Sequence, residues 1–450
     1  MPLYSVPIST RVENIISHPL YVRLQKVPQF LLGRTVFPGG VHTRYEHALG
    51  TYALGQRYLL KLLSHPEFRA YFSKKELEEA LIAILLSKLV SFVFDYVFFE
   101  LFLSNNAEED AAGRRERLNL FLSMRSSGSK KSLNDVIKHE FPDIDLELVI
   151  AILCGVASTE SRQARLISGI IKSSIDVRVL DYLGRDSHHT GIPPGEGIDI
   201  DHIVNSLTWA PADGSLGITR IGVHSVEHLL CARYWMYNRV YWNQINRSLA
   251  SMVRYTIYAL IKAGDLTANH FIREVMNLDE PSALEWLHES WDATAGEKYR
   301  YASVLSPLRL PRPRPYRLLL ELSGMTWSKK HISAARKLTP DQLEEIRIEF
   351  IQSSSLANKL SIADVLFDIP RDKVLKLGED VQVETERGKW ERLRDISDIV
   401  RTLPDAFLET GFKFRVFLNG ELPLNESEKS ALAGEAREFL GKEIKPNDSV

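Results

Sequence analysis

Apolar residues recur every three to four positions through most of the first three hundred residues, the period of a helix that buries one face. Stripes of this kind run over 44–64, 76–103, 146–157, 161–187, 224–263, 267–278 and 281–291, and predict helices there. From residue 317 the texture changes. RLLLEL (317–322), KVLKLG (373–378), VQVETE (381–386) and FKFRVFL (412–418) are short, partly alternating runs with turn residues between them, and predict strands. Helical patterns at 338–356 and 425–441 interleave with them. The expected architecture is mainly α: an all-helical domain over 1–310, then a smaller α+β lobe over 311–450.

Three stretches punctuate this pattern. SMRSSGSKKS (123–132) and HHTGIPPGEGID (188–199) predict surface loops. LRLPRPRPYR (308–317) alternates proline and arginine, so it is extended or polyproline-like, as a linker or a basic recognition patch. The run 81–103, LIAILLSKLVSFVFDYVFFELFL, has the length of a membrane span. Lys88, Asp95 and Glu100 interrupt it, and charges are costly at mid-bilayer, so a helix buried in a large core is the expectation.

Composition narrows the chemistry. The 450 residues are 44% hydrophobic and 25% charged, an ordinary globular balance. Fifty-six Lys and Arg against 58 Asp and Glu leave a net charge of −2, so no global field draws the chain to nucleic acid or to an anionic membrane. An anion site must then be a local cluster. WMYNRVYWNQINR (235–247) interleaves aromatics with arginine, which suits single-stranded nucleic acid or buried helix packing; the near-neutral whole favours packing. Cys154 and Cys231 both lie in apolar runs and read as buried free thiols. MPLYSVPIST lacks the basic and apolar regions of a signal peptide, so a cytoplasmic protein is expected.

Residues 23–55 contain FPGGVHTRYEHALG (37–50), which resembles the signature of HD-domain phosphohydrolases, and within them the deoxynucleoside triphosphate triphosphohydrolase (dGTPase-like) branch. IDVRVLDYLGRDSHHTGI (175–192), CARYWMYNRVYWNQ (231–244) and the C-terminal lobe are similar to the same branch. The resemblance implies an HD-domain helical core and a divalent metal (Mn, Mg, Fe or Zn) held by a histidine, a His-Asp pair and a distant aspartate. Such a metal lowers the pKa of a bound water, which attacks phosphorus. His47 matches the first ligand. Ser87 and Lys88 stand where the His-Asp pair is expected, and Arg178 stands where the distant aspartate is expected. Ser91 and Tyr96 occupy two positions of further catalytic histidines, and the turn that carries them is replaced by continuous helix or apolar packing.

The expectation is therefore a catalytically degenerate protein, a pseudo-phosphohydrolase with no cofactor and only His47 as a remnant. Lys88 and Arg178 make the former metal position cationic, able to bind a polyphosphate or to pair with a local acid such as Glu46, Asp95 or Glu116. The substrate-contacting residues that the resemblance implies are Gln29, Arg44, Tyr182, Asp186, Arg233 and Tyr241. Arg44 and His47 are three apart; Arg178, Tyr182 and Asp186, like Arg233, Tyr237 and Tyr241, are spaced by four. Three helical faces can thus converge. Whether they hold a nucleotide or only the scaffold stays open. His188 and His189 are expected to anchor a loop, and His224 with His228 lacks the glutamate pattern of a zinc helix.

The alternative is an active metal-dependent triphosphohydrolase, splitting a dNTP into deoxynucleoside and triphosphate, with displaced ligands drawn from His42, Asp95, Asp176 and Asp181. Implied partners are a dNTP ligand, further copies of the chain in a homo-oligomer (dimer or tetramer), or an active HD protein in a hetero-complex. No membrane and no nucleic-acid partner is expected.

Overall fold

The computed structural model describes residues 6–30, 32–102, 107–125, 130–155, 161–210, 214–264, 266–298, 304–305, 308, 315–370, 377–386 and 388–445. Six helices position the site. They are α1 (Arg44–Leu63), α2 (Lys74–Leu86), α3 (Asp95–Phe102), α4 (Val177–Thr190), α5 (Val223–Met236) and α6 (Gln244–Lys262). Helix α1 starts with a capping box: the Thr43 side chain accepts from the Glu46 amide, and Glu46 accepts from the Thr43 amide at 2.7 Å. Ser73 and Glu76 open α2 in the same way. Asp176 caps α4 through the amides of Arg178 and Val179, and Gly191, at φ 69°, ends it.

Three expected helices are broken; the stripe over 161–187 divides into Arg162–Lys172 and Val177–Thr190. The run over 76–103 stops at Ser87, whose hydroxyl donates to the Ile84 carbonyl at 2.7 Å, and resumes only at Asp95. The intervening turn includes Phe94 in the left-handed region at φ 70°. Leu86, Leu89, Phe92, Val93, Phe94, Val97 and Phe98 are all buried. One straight helix would spread those residues around its circumference; the break folds both ends of the run into the same core. The expected continuous helix is thus corrected to apolar packing around a turn. The carbonyls that the break releases find a donor in the buried Arg23, which binds Ser91 O at 2.6 Å and Leu89 O. No helix among the described residues is long and apolar enough to cross a membrane.

The stripe over 224–263 also divides. Helix α5 runs into a π-helical turn, Tyr237–Tyr241, and the chain restarts at α6 with Asn243 as its cap. The Asn246 side chain donates to the Val240 carbonyl at 2.8 Å across this junction.

Seven strands are present among the described residues: β1 (Leu207–Ala210), β2 (Ser215–Thr219), β3 (Arg317–Ser323), β4 (Val365–Asp368), β5 (Gln382–Glu386), β6 (Lys389–Arg392) and β7 (Lys413–Leu418). The β1–β2 hairpin corrects the all-helical reading of the first part. Its strands are almost wholly buried, so they show no alternation, and Trp209 packs against Phe68, Tyr71 and Phe72. Strand β5 pairs in parallel with β2, which gives a four-stranded sheet in the order β1-β2-β5-β6. The second sheet, β3-β7-β4, is antiparallel. Strands β3, β5 and β7 lie where alternation predicted them. Most of KVLKLG, of LRLPRPRPYR with the boundary near 310, and the centre of SMRSSGSKKS fall outside the described residues. Cys154 is buried and Cys231 only half-buried; both are free.

Candidate functional site

A short β-bridge between Pro28 and Thr43 starts the site. Gln29 N donates to His42 O at 3.0 Å and Arg44 N to Val27 O at 2.8 Å, so Gln29 and Arg44 emerge side by side. Both line a cavity of about 420 Å3, together with Lys88, Tyr96, Tyr182, Asp186, Tyr237, Tyr241, Asn246 and Arg247. Two predicted faces do converge here: Tyr182 and Asp186 from α4, Tyr237 and Tyr241 from the π-turn.

Asp186 is held at both oxygens. Tyr241 Oη donates to Oδ2 at 2.6 Å, and His42 Nε2 lies 2.8 Å from Oδ1. Burial and the neighbouring carboxylate raise the Tyr241 pKa well above its usual value, so the phenol keeps its proton. Burial likewise raises Tyr96. Among the described residues, Gln29 Oε1, Arg44 Nε and Asn246 Oδ1 of the wall are buried and find no hydrogen-bond partner. Each costs free energy until something pairs with it.

The cations are arranged unequally. Arg44 Nη2 binds Asp95 at 3.1 Å. Arg178 turns away from its helical neighbours Tyr182 and Asp186, pairs with Asp176 at 2.8 Å and forms no part of this wall. Lys88 forms no ion pair among the described residues, and burial, with Arg178 and Arg44 nearby, pushes its pKa down to about 7. The expected acids are otherwise engaged: Glu46 caps α1, Asp95 holds Arg44, and Glu116 accepts from Asn269 at 2.9 Å. Asp176, not one of these three, is the partner of Arg178.

His47 is fully buried, with Nδ1 2.7 Å from Asp181 Oδ2. Burial, and then the Lys88 charge, lowers its pKa to about 3, so the ring is neutral and Nδ1 donates. Arg185 completes the cluster with Nη2 2.8 Å from Asp181 Oδ1. Against the burial that would raise it, these hydrogen bonds keep the Asp181 carboxylate below its ordinary pKa. A Cβ at Gly50 would lie 1.8 Å from Asp181 Oδ1, so only glycine admits the carboxylate.

The donors do not suit the divalent cation that the resemblance implies. Asp181 is committed to His47 and Arg185, Asp176 to Arg178, Asp95 to Arg44, and His42 to Asp186. Among the described residues of that set, two buried ring nitrogens lack a hydrogen-bond partner, Nε2 of His47 and Nδ1 of His42. Among the described residues no three His, Cys, Asp or Glu side chains are grouped to hold a metal. A cation would meet Lys88 where it needs a carboxylate.

The remaining predicted residues are scattered. Ser87 caps Ile84; Ser91 is buried and its carbonyl serves Arg23. Arg233 is buried on α5, 5.9 Å from the Tyr237 ring centroid, outside the cavity wall. His189 stacks on His42 at 4.2 Å, with Nδ1 3.3 Å from the Gly39 carbonyl, which ties the PGG loop to α4. His188 faces Glu196 at 3.8 Å, and the exposed His224 faces Glu227 at 2.9 Å. Sequence reasoning missed Asn246 and Arg247 as wall residues. Arg247 binds Glu100 on α3 at 2.9 Å and Asp368 on β4 at 2.6 Å, and those partners are too far away in sequence to leave a local pattern.

Comparison with known proteins adds independent evidence. Residues 198–303 match the family described as the HD associated region. An uncharacterized protein of Methanocaldococcus jannaschii is 25% identical over 279 residues, 62% of this chain and 51% of that one. Deoxynucleoside triphosphate triphosphohydrolase SAMHD1 of Bos taurus is 27% identical over 215 residues, 43% of this chain and 36% of that one. The chain thus spans about half or less of the length of these curated relatives. A crystal structure of a hypothetical protein from Aquifex aeolicus superposes with a TM-score of 0.66 at 19% identity, over 96% of this chain and 98% of that one, and shares the fold.

Proposed function

We propose that this chain, which belongs to the HD phosphohydrolase superfamily in its dGTPase-like branch, binds a deoxynucleoside triphosphate without hydrolysing it. The observation that carries the reading is Lys88: a cation with no ion-pair partner among the described residues, on the wall of a cavity of about 420 Å3, at the position where the resemblance calls for an acid. In this reading Lys88 and Arg44 take phosphate oxygens, Arg44 through a planar fork of donors. Gln29 and Asn246 offer their unpartnered oxygens to hydroxyl or amine donors of the ligand. Tyr182 and Tyr241, whose rings meet edge to face at 5.9 Å, supply an apolar wall for sugar or base. In this reading the described residues hold no metal to supply the hydroxide that hydrolysis would use.

The same scaffold is proposed to act as a non-catalytic subunit, in a homo-oligomer or with an active HD protein. Its free thiols suit a reducing cytoplasm.

The test is thermal unfolding of the full chain with each dNTP, with and without manganese, beside an assay for released triphosphate. A ligand at a hundredfold its Kd stabilises by about 2.7 kcal/mol. Stabilisation that needs no metal and yields no triphosphate supports the reading. Metal-dependent triphosphate release would install the active alternative in its place, and no shift with any dNTP would remove nucleotide binding.

A further inference from the structure

We propose that Glu280, the first residue of helix α7 (Glu280–Lys298), is a positioning residue that sets the nucleoside half of the cavity. The proposal rests on the nucleotide reading above. Glu280 lies within the stretch 198–303 that matches the HD associated region, and it is not part of the cavity wall. It acts through the segment that follows Gln29 and Phe30.

The Glu280 side chain is buried, and both carboxylate oxygens are used on that segment. Oε2 accepts from the Leu32 amide at 2.7 Å, and Oε1 from Arg34 Nη2 at 3.2 Å. Leu32 has a left-handed backbone, at φ 46°, a conformation that costs free energy at a residue with a Cβ. The carboxylate holds that conformation by accepting from its buried amide. The turn beyond it is closed by Thr35 N donating to Leu32 O at 2.9 Å and Phe37 N to Gly33 O at 2.7 Å. A Cβ at Gly33 would lie 2.4 Å from the Phe30 Cβ, so glycine lets the turn fold against that side chain.

Phe30 carries this placement into the cavity, whose wall it shares with Gln29. Its ring meets His42 edge to face at 5.2 Å and lies 6.1 Å from the Tyr241 ring. Those two residues hold Asp186 at both oxygens. Leu32 stands two residues from Phe30 and three from Gln29, so a shift at its amide reaches both. Arg44, which with Lys88 takes the phosphates in the nucleotide reading, is fixed otherwise: its amide donates to Val27 O at 2.8 Å and its guanidinium to Asp95 at 3.1 Å. The Glu280 bonds therefore bear on the sugar and base contacts and spare the phosphate contacts.

The experiment measures binding of dATP and of inorganic tripolyphosphate to the full chain by calorimetry, beside hydrogen exchange of the ligand-free protein. Tripolyphosphate carries the phosphates without sugar or base. In Glu280→Ala, dATP is expected to bind at least tenfold more weakly, while tripolyphosphate stays within threefold. Amides of 32–37 should exchange at least tenfold faster, and those of α1 at their former rate. Glu280→Gln keeps an acceptor for the Leu32 amide and should hold dATP binding within threefold. So should Arg34→Ala, because the Arg34 side chain is 54% exposed and such an ion pair contributes little. Equal weakening of both ligands in Glu280→Ala overturns the proposal, because the loss is then general damage to the fold. Unchanged dATP binding or unchanged exchange also overturns it. Should Glu280→Ala not fold, Glu280→Asp, which withdraws the carboxylate by one methylene, decides by the same comparison. Wild-type protein that binds no dATP overturns the nucleotide reading and the role of Glu280 in it. The exchange rates then report separately whether Glu280 holds the turn, so the two failures are distinct.

Discussion

His47 on α1 and Asp181 on α4 join at 2.7 Å with neither side chain exposed, and Arg185 closes the opposite edge of the carboxylate. The histidine that the family signature would offer to a metal is thus the neutral donor of a structural cluster. Breaking a buried pair strands its partner's charge, which typically costs about 3–5 kcal/mol. Asp181→Asn is expected to lose stability on that scale in urea denaturation, and Gly50→Ala to lose stability because its Cβ invades the carboxylate. Folded His47 titrates near pH 3 against an ordinary 6.5, so between those values only the unfolded chain takes the proton. Stability should therefore fall as pH drops from 6.5 toward 3, and His47→Gln should flatten that slope.

Lys88 sets stability against binding. Its folded pKa, about 7, lies below the ordinary 10.5, so between these values the unfolded chain holds the extra proton. Stability should rise with pH through that window. Lys88→Met is expected to remove the rise, to stabilise the ligand-free chain at pH 7 by about 1 kcal/mol or more, and to weaken dATP binding at least tenfold. Thermal unfolding against pH, with and without dATP, checks all three. A variant that is less stable without ligand would contradict the buried-cation reading.

Arg247 ties the cavity to the second sheet. With Arg254 it balances Glu100 and Asp368, a compact set of two positive and two negative charges. Burial would raise the Asp368 pKa, but Arg247 and Arg254 outweigh it and hold the carboxyl near 2. Arg247→Met should cost about 3–5 kcal/mol, and should move the acid loss of stability to higher pH. Hydrogen exchange at β4 should quicken. An unchanged acid limb would mean that Arg254 alone suffices.

Arg23 stands in for the missing helix at the broken run. Its guanidinium serves Leu89 O, Ser91 O and Met276 O, and burial lowers its pKa to about 9. Each buried carbonyl left without a donor costs about 1–3 kcal/mol. Arg23→Met should therefore destabilise by roughly that amount or more, and limited proteolysis should then cut within 87–94 sooner than elsewhere. Unchanged protection of that turn would assign its order to apolar packing alone.

Much was legible along the chain because it depended on near neighbours. The helical stripes and the alternation of β3 and β7 are short-range patterns. The placing of Gln29, Arg44, Tyr182, Asp186 and Tyr241 around one cavity followed from a resemblance and from spacing of three or four. Arg178 shows the limit of such spacing. It shares a helical face with Tyr182 and Asp186, yet an aspartate two residues away pulls its side chain off that face. The β1–β2 hairpin was invisible for a related reason: strands buried on both sides lose alternation.

The order of residues by itself determined a mainly helical fold with a mixed C-terminal lobe, and put Ser87, Lys88 and Arg178 where the resemblance implies metal ligands. Only the tertiary structure decided which charges are neutralised. Arg178 gains Asp176, Arg44 gains Asp95, Asp181 gains Arg185 and His47, and Lys88 gains no ion pair among the described residues. Charge pairing acts over a few ångströms through space: Arg44 meets Asp95 and His47 meets Asp181 only when separate helices pack, while Asp176–Arg178 and Asp181–Arg185 are local.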